Sequence, residues 1–238
     1  MKLSGVFLAY DHGFEHGPTD FDNLNYNPEY ILDVAKKAEV DALILLKGVA
    51  EKYYSKDLGI PLILKLNSKT SLREGEPISL AWSSVEYAIK LGAEAVGYTI
   101  YFGSEEESRM ISEFGKIYEE ARKYGLKVVL WSYPRGKSIN NDEDPKIVAY
   151  AARLGAELGA DVIKVKYPND DSNLEWITKN ALKSKLFFAG GKKIEEGNLI
   201  EHAEKAAKAG ASGFAIGRNI FQSKNAVEII KSLKSIFH

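Results

Sequence analysis

The feature that most constrains this sequence is a repeated alternation of short apolar runs with longer amphipathic runs. The short runs have the length and β-branched content of buried strands, and the longer runs have the spacing of helices. Because each pair of strands is separated by a helix, the strands are expected to pair in parallel. The predicted strands are Gly5–Tyr10, Ala42–Leu46, Pro61–Leu66, Glu94–Ile100, Lys127–Ser132, Asp161–Tyr167, Leu186–Ala189 and Ser212–Ile216.

The intervening helices are marked by their end residues. Asn27 followed by Pro28 is typical of a helix start, and Ser104 with Glu107 predicts a capping box. Glycine follows several of the predicted helices, where the chain leaves in a left-handed conformation. The predicted helices are Asn27–Ala38, Ala50–Ser55, Pro77–Leu91, Ser104–Tyr124, Asp144–Leu158, Asn173–Leu182, Leu199–Ala209 and Lys224–Phe237.

Eight strands that alternate with helices indicate a (β/α)₈ barrel. A doubly wound open sheet is the alternative, but the count of eight and the absence of a dinucleotide-binding fingerprint favour the barrel. The length of 238 residues suits one such barrel. The sequence has no linker or low-complexity tract, so we expect one catalytic domain over residues 1–238.

The composition excludes several classes of function. The formal net charge of −1 gives no electrostatic basis for binding nucleic acid or an anionic membrane. There is no cysteine, which excludes disulfides, thiolate metal sites and a cysteine nucleophile. The first ten residues lack the plan of a signal peptide, and no apolar run approaches the roughly 20 residues of a membrane span. We therefore expect a cytoplasmic protein.

Polar residues of unusual character follow nearly every predicted strand. In barrels of this kind the chemistry lies at the carboxyl ends of the strands. Chance alone would rarely place so many of these residues at the same end of the strands. The pattern therefore predicts an active site at the barrel mouth. The segments concerned are Asp11–Pro18, Lys47–Gly48, Asn67–Ser71, Trp131–Gly136, Lys164–Lys166, Gly190–Lys193 and Gly217–Asn219.

Two lysines interrupt the sixth predicted strand. Lys164 and Lys166 are two residues apart, so their side chains share one face of the strand. One interpretation is that Lys164 is a nucleophile with a lowered pKa, kept unprotonated by Lys166, because only a free amine attacks a carbonyl to form a Schiff base. The other is a strand end whose lysines extend to water.

The loops after the seventh and eighth strands favour a bound phosphate. Gly190 and Gly191 let the backbone approach an anion, and Gly217 does the same beside Arg218, whose guanidinium can bind a phosphate with two hydrogen bonds. The alternative is that these glycines serve turn geometry only. Lys69 after the third strand either meets a second phosphate or is solvated.

The first loop contains His12 and His16 with Glu15 between them. The spacing suits a helical metal pair, but the neighbouring glycines and Pro18 favour a loop, and no other histidine lies at a strand end. We therefore expect no metal, and assign His16 to ordering the loop or to a hydrogen bond with phosphate. Asp11 is either an acid/base that orients the lysine amine or the first residue of an Asx turn.

Two aromatic residues lie at the end of the fifth strand. Trp131 and Tyr133 share a face, so Trp131 could form a wall of the site. Tyr133 could act as a general acid/base if nearby lysines shift the pKa of its phenol. Both could instead be core aromatics.

These residues together resemble the archaeal-type class I fructose-1,6-bisphosphate aldolases, the DhnA-like aldolases. The resemblance covers essentially the whole chain and rests on Asp11–Pro18, Trp131–Gly136, Ile163–Tyr167, Ala189–Lys192 and Gly217–Asn219.

The resemblance implies a metal-independent (β/α)₈ barrel without a cofactor, which cleaves fructose 1,6-bisphosphate reversibly in glycolysis and gluconeogenesis. It implies that Lys164 forms the Schiff base, that Tyr133 is the acid/base, and that Trp131 and Asp11 are catalytic. It also implies phosphate contacts from the seventh and eighth loops, and our hypothesis for the mechanism assigns the second phosphate to Lys69 or Arg135. The family forms homo-oligomers that are often decameric.

Three other functions stay open. A related aldol-type synthase that makes 2-amino-3,7-dideoxy-D-threo-hept-6-ulosonate shares the lysine and the Tyr-Pro-Arg-Gly segment, and Trp131 favours the bisphosphate aldolase over it. A thiolase-like relative that acts on phosphorylated signal molecules is a weaker alternative. A non-catalytic sugar-phosphate sensor would retain the phosphate loops but could dispense with Lys164.

Overall fold

The computed structural model describes residues Met1–His238 and contains a closed barrel of eight parallel strands in chain order. The predicted (β/α)₈ barrel is therefore confirmed, and β8 pairs with β1 to close it. The strands are β1 Gly5–Ala9, β2 Ala42–Leu46, β3 Leu62–Lys65, β4 Ala95–Phe102, β5 Lys127–Pro134, β6 Val162–Lys166, β7 Lys185–Ala189 and β8 Gly213–Ile216.

Ten helices surround the strands or lie in the connecting loops. No helix is both long enough and apolar enough to cross a bilayer. Single turns of 3₁₀-helix occur at Gly17–Asp20, Lys56–Leu58 and Asp171–Asn173. The helices are α1 His12–His16, α2 Pro28–Ala38, α3 Lys47–Tyr53, α4 Val85–Lys90, α5 Glu107–Lys123, α6 Pro145–Glu157, α7 Leu174–Asn180, α8 Glu196–Lys208, α9 Arg218–Phe221 and α10 Ala226–Phe237.

The third predicted helix is much shorter than expected. The sequence predicts a helix over Pro77–Leu91, whereas α4 begins at Val85 because Ser84 caps it by accepting a hydrogen bond from the Tyr87 amide. The residues before it lie along the barrel mouth, where Ala81 forms an isolated bridge with Asn67. The Asn67 side chain also donates to the Ser79 carbonyl at 2.9 Å, and these contacts replace helical hydrogen bonds.

Other helices also differ from the prediction, since α3 begins at Lys47 and α8 at Glu196, each three residues earlier than expected. The segment His12–His16 forms the short helix α1, although its glycines and Pro18 predicted a loop. Helix α5 begins at Glu107 and not at Ser104. Ser104 and Glu107 still act as caps, since the Ser104 hydroxyl accepts from the Glu106 amide and the Glu107 carboxylate accepts from the Gly103 amide.

The interior of the barrel is built in layers. Inward-facing side chains such as Phe7, Ile44, Ile63, Val162 and Phe187 form a small apolar core, which is separate from the larger core between strands and helices. Since alternate residues of a strand share a face, the next inward positions toward the carboxyl ends on β3 and β6 carry lysines. The apolar layer thus forms the floor beneath a polar layer that faces the barrel mouth.

Candidate active site

Lys164 lies on β6 with its side chain inside the barrel and only 5% of the residue exposed. It forms no ion pair. Burial lowers its pKa to about 8, and the nearby cations Lys65 and Arg218 act in the same direction, while the Asp11 carboxylate opposes them. A substantial fraction of this amine is therefore unprotonated near neutral pH, as the sequence predicted for a nucleophile.

A second buried lysine, which the sequence reasoning missed, lies across the cavity. Lys65 at the end of β3 donates to the Asp11 carboxylate, with Nζ 2.9 Å from Oδ2, and both side chains are 8% exposed. Burial alone would raise the pKa of Asp11, but Lys65, His12 and Lys164 together hold it well below its usual value. Asp11 is thus a permanent anion at the centre of the site.

Trp131 lies close to both lysines. Its indole lies 5.1 Å from the Lys164 ammonium nitrogen and 4.9 Å from that of Lys65, measured to a ring centroid. The ring extends across the neighbouring strand at Gly97, where a Cβ would lie only 2.5 Å from it. The predicted wall of the site is therefore present, and the small residue on β4 is what admits it.

Tyr133 is two residues after Trp131 on β5, which continues to Pro134, so its side chain shares the inward face and lies nearer the barrel mouth. The pKa of its phenol is raised well above the usual value, first by burial and then by the Asp11 carboxylate. This is opposite to the direction expected from neighbouring lysines. Tyr133 therefore retains its proton near neutral pH and is a donor in the resting site.

His12 is also part of the cavity wall. Its ring lies over Gly217, where a Cβ would overlap it, and its Nδ1 is 3.6 Å from Asp11 Oδ1 without a hydrogen bond. Burial lowers its pKa to about 4, so the ring is neutral near pH 7. No three His, Asp or Glu side chains are grouped as a metal site.

The loops after β7 and β8 supply one wall of the same cavity, which Gly190, Gly191, Gly217 and Arg218 line together with His16. Asn219 fixes the β7 loop, since its amide donates to the carbonyls of Gly190 and Lys192 at 2.7 and 3.0 Å. The buried Nε of Arg218 has no hydrogen-bond partner. The predicted phosphate residues are therefore brought together, with an unused donor among them.

Lys166 differs from its expected role. It lines the cavity, but its ammonium forms an ion pair with Asp142 at 2.6 Å and approaches Glu143 at 3.5 Å. The positive charges that lower the pKa of Lys164 belong to Lys65 and Arg218. The partners of Lys166 come from the loop before α6, which strand spacing could not indicate.

The two predicted cations for a second phosphate both contact Glu15. Arg135 donates to Glu15 Oε1 at 2.9 Å and lines the cavity, with its guanidinium 5.3 Å from the Tyr101 ring. Lys69 approaches the same oxygen at 3.9 Å but does not itself line the cavity. These cations are therefore grouped around Glu15 at the rim of the cavity.

Comparisons with known proteins place this architecture in a family. The model of the DeoC/LacD family of aldolases matches residues 5–223. The chain belongs to this aldolase family. This membership is consistent with the buried lysine at the mouth of the barrel.

Individual relatives confirm the resemblance to archaeal class I aldolases. A class 1 fructose-bisphosphate aldolase of Thermoproteus tenax is 48% identical over 98% of this chain and 89% of its own. One from Halobacterium salinarum is 42% identical over 98% and 90%. A solved archaeal fructose-1,6-bisphosphate aldolase, with its catalytic Lys bound to the carbinolamine intermediate of the substrate, is 46% identical with a TM-score of 0.94, covering 98% of this chain and 94% of that one. The aldolase fold of this chain therefore extends over its full barrel.

Proposed function

We propose that this protein is a class I fructose-bisphosphate aldolase, which reversibly cleaves fructose 1,6-bisphosphate to dihydroxyacetone phosphate and glyceraldehyde 3-phosphate through a Schiff base. The observation that carries the proposal is the buried Lys164 amine, which forms no ion pair and opens into a cavity lined by glycines and cations that can bind phosphate. The relatives named above are aldolases of this kind. A non-catalytic sensor would have no use for an amine in this state.

The lowered pKa makes Lys164 a competent nucleophile. With a pKa of about 8, about a tenth of the amine is free at pH 7, whereas an ordinary lysine has roughly three parts in ten thousand free. The free amine attacks C2 of the open-chain ketose and forms a carbinolamine. Loss of water then leaves an iminium between Lys164 and C2.

The iminium is the electron sink that allows the C3–C4 bond to break. When the C4 hydroxyl loses its proton, its electrons form the aldehyde, the C3–C4 bond breaks, and that electron pair forms an enamine on Lys164. Glyceraldehyde 3-phosphate leaves. Protonation of C3 and hydrolysis of the iminium then release dihydroxyacetone phosphate and restore the amine.

Tyr133 and Asp11 divide the remaining work. The neutral phenol gives its proton to the departing hydroxyl of the carbinolamine, and the phenolate then removes the proton of the C4 hydroxyl. Asp11 stays ionised, so it stabilises the positively charged iminium and positions Lys65. The sequence left acid/base and orienting roles open for Asp11, and its low pKa favours the second.

The two phosphates of the substrate are assigned to two groups of residues at the mouth. Gly190, Gly191, Gly217 and Arg218, with His16 beside them, hold one phosphate. Arg135, with Lys69 behind it, holds the other. This arrangement places the reacting ketone between them, over Lys164.

Borohydride trapping tests the proposal directly. Reduction in the presence of dihydroxyacetone phosphate is expected to add the mass of the reduced triose phosphate to Lys164, located by peptide mass spectrometry. Lys164→Ala is expected to lose trapping and at least about a thousandfold in cleavage. Full cleavage by Lys164→Ala would overturn the assignment, and EDTA is expected to leave the rate unchanged.

The acceptor aldehyde distinguishes the proposed aldolase from the related synthase. Transfer of a three-carbon donor to aspartate semialdehyde, without cleavage of fructose 1,6-bisphosphate, would identify the heptulosonate synthase instead.

We also propose that residues 1–238 act as one catalytic domain in a cytoplasmic homo-oligomer. Exposed aromatic residues at the barrel mouth support association, notably the stacked pair Phe14 and Trp82, whose ring centroids are 5.2 Å apart. Charged sugar phosphates cross membranes poorly, which supports a cytoplasmic site of action. Light scattering after size-exclusion chromatography gives the subunit number, and a monomer would contradict the oligomer.

A further inference from the structure

Glu15 occupies an unusual position for a carboxylate at the mouth of an enzyme that takes an anionic substrate. It projects from α1 into the cavity wall, with its side chain 24% exposed. One of its oxygens, Oε1, is shared by Arg135 at 2.9 Å and Lys69 at 3.9 Å. Two cations from different loops that converge on one oxygen form the environment of a bound phosphate oxygen.

Arg135 and the loop that carries Lys69 are each held by contacts that do not involve the Glu15 side chain. The Arg135 guanidinium packs against the Tyr101 ring, and its backbone amide donates to the Phe102 carbonyl at 2.8 Å. Lys69 follows β3, and the loop that carries it is joined to α1 by a hydrogen bond from the Ser71 amide to the Glu15 carbonyl at 3.0 Å. The Glu15 side chain can therefore rotate away while the loops stay connected.

We propose that Glu15 is an internal competitor that occupies the subsite of the second phosphate. A phosphate dianion and the Glu15 carboxylate cannot share Arg135 and Lys69 without strong repulsion, so the ligand must displace the carboxylate. Glu15 thereby sets how strongly the site prefers ligands with two phosphates over ligands with one. This inference rests on the proposed function, because it assigns the second phosphate to Arg135 and Lys69.

An alternative role for Glu15 makes the opposite prediction. If Glu15 only positions Arg135 for the ligand, its removal weakens binding of the second phosphate. If it competes with the ligand, its removal strengthens binding. The sign of the change therefore decides between the two roles.

The test measures binding without catalysis. Isothermal titration calorimetry compares hexitol 1,6-bisphosphate with hexitol 1-phosphate, neither of which has the carbonyl needed for a Schiff base. Glu15→Gln is expected to lower the Kd of the bisphosphate at least about fivefold and to change the Kd of the monophosphate less than about twofold. Glu105→Gln is the matched control, because Glu105 forms an exposed ion pair with Lys137 outside the cavity, and both Kd values are expected to stay constant.

An unchanged or raised Kd of the bisphosphate in Glu15→Gln would overturn the inference. Equal tightening of both ligands would also overturn it, since that is a general effect of charge. Glu15→Asp withdraws the carboxylate by one methylene, is expected to tighten the bisphosphate to a smaller extent, and decides the question if Glu15→Gln does not fold. Because the ligands do not react, absent cleavage by the wild-type protein would overturn the proposed function and leave this measurement valid.

Discussion

The floor and the rim of the cavity handle charge in opposite ways. At the floor there is one carboxylate, Asp11, which hydrogen-bonds to Lys65 and leaves Lys164 without an ion pair. At the rim, the cations have carboxylates of their own: Lys166 pairs with Asp142 and Arg135 with Glu15. The two lysines of β6 illustrate this contrast although only one residue lies between them.

This difference separates chemistry from recognition. A buried cation with no carboxylate of its own loses its proton easily, which is what a Schiff-base amine requires. A partly exposed cation with its own carboxylate stays charged and is available to an incoming anion, at the cost of displacing that carboxylate. Lys164 and Lys166 therefore differ in function because they differ in depth.

The strongest test of the floor is Tyr133→Phe, which removes the proton donor and retains the ring. Cleavage of fructose 1,6-bisphosphate is expected to fall by about 10² to 10⁴. The affinity for the non-reacting hexitol bisphosphate is expected to stay the same. Steady-state kinetics and calorimetry measure the two quantities, and a loss of affinity that matches the loss of rate would place Tyr133 in binding.

The second test asks what the buried amine costs in stability. The pKa of Lys164 is about 8 in the folded protein and 10.5 when unperturbed, so between these pH values the unfolded chain binds more protons and stability rises with pH. Lys164→Met removes this penalty and is expected to stabilise the protein by about 3 kcal/mol at pH 7. Urea unfolding at pH 7 and at pH 10.5 measures the gain, which is expected to vanish at the higher pH.

Lys166→Met is the matched control for that experiment. Its ammonium is paired and only partly buried, so a change within about 0.5 kcal/mol is expected at both pH values. An equal gain in the free energy of unfolding for Lys164→Met and Lys166→Met would contradict the distinction between floor and rim.

The smallest expected effect belongs to Lys65→Met. Without Lys65, the Asp11 carboxylate is left to Lys164, which raises the pKa of that amine. The rate of borohydride trapping at pH 7 is expected to fall about tenfold, and its pH profile is expected to shift upward. A profile that stays centred near pH 8 would show that Lys65 has no influence on the amine.

The fold was largely predictable because the strands are short, continuous and buried. Their apolar runs and the glycines after the helices locate all eight strands within one or two residues. The start of the helix predicted at Pro77–Leu91 was wrong because the distant Asn67 donates a hydrogen bond to the Ser79 carbonyl and bridges to Ala81, and no local pattern reports such contacts. The Ser84 cap was visible in the sequence and could have corrected the start of α4.

The site was predictable where a strand end carries its own signal. All the residues proposed for the site except Lys69 line one cavity, and strand spacing correctly placed Lys164 and Trp131 inside the barrel. Lys65 was missed because a lysine at a strand end usually reaches water, and its partner Asp11 is 54 residues away in sequence. The upward pKa shift of Tyr133 was missed because it depends first on burial and then on the Asp11 carboxylate, which is distant in sequence.

The depth of Lys164 has a consequence for the order of events in turnover. In the proposed mechanism, the three-carbon fragment stays covalently bound to Lys164 at the floor of the cavity, while the aldehyde, held only by the rim, departs first and can be replaced by another. In the synthetic direction, the enzyme with bound enamine is the donor, and residues of the rim select the aldehyde acceptor. Substitutions confined to the rim can therefore change the acceptor without altering formation of the Schiff base.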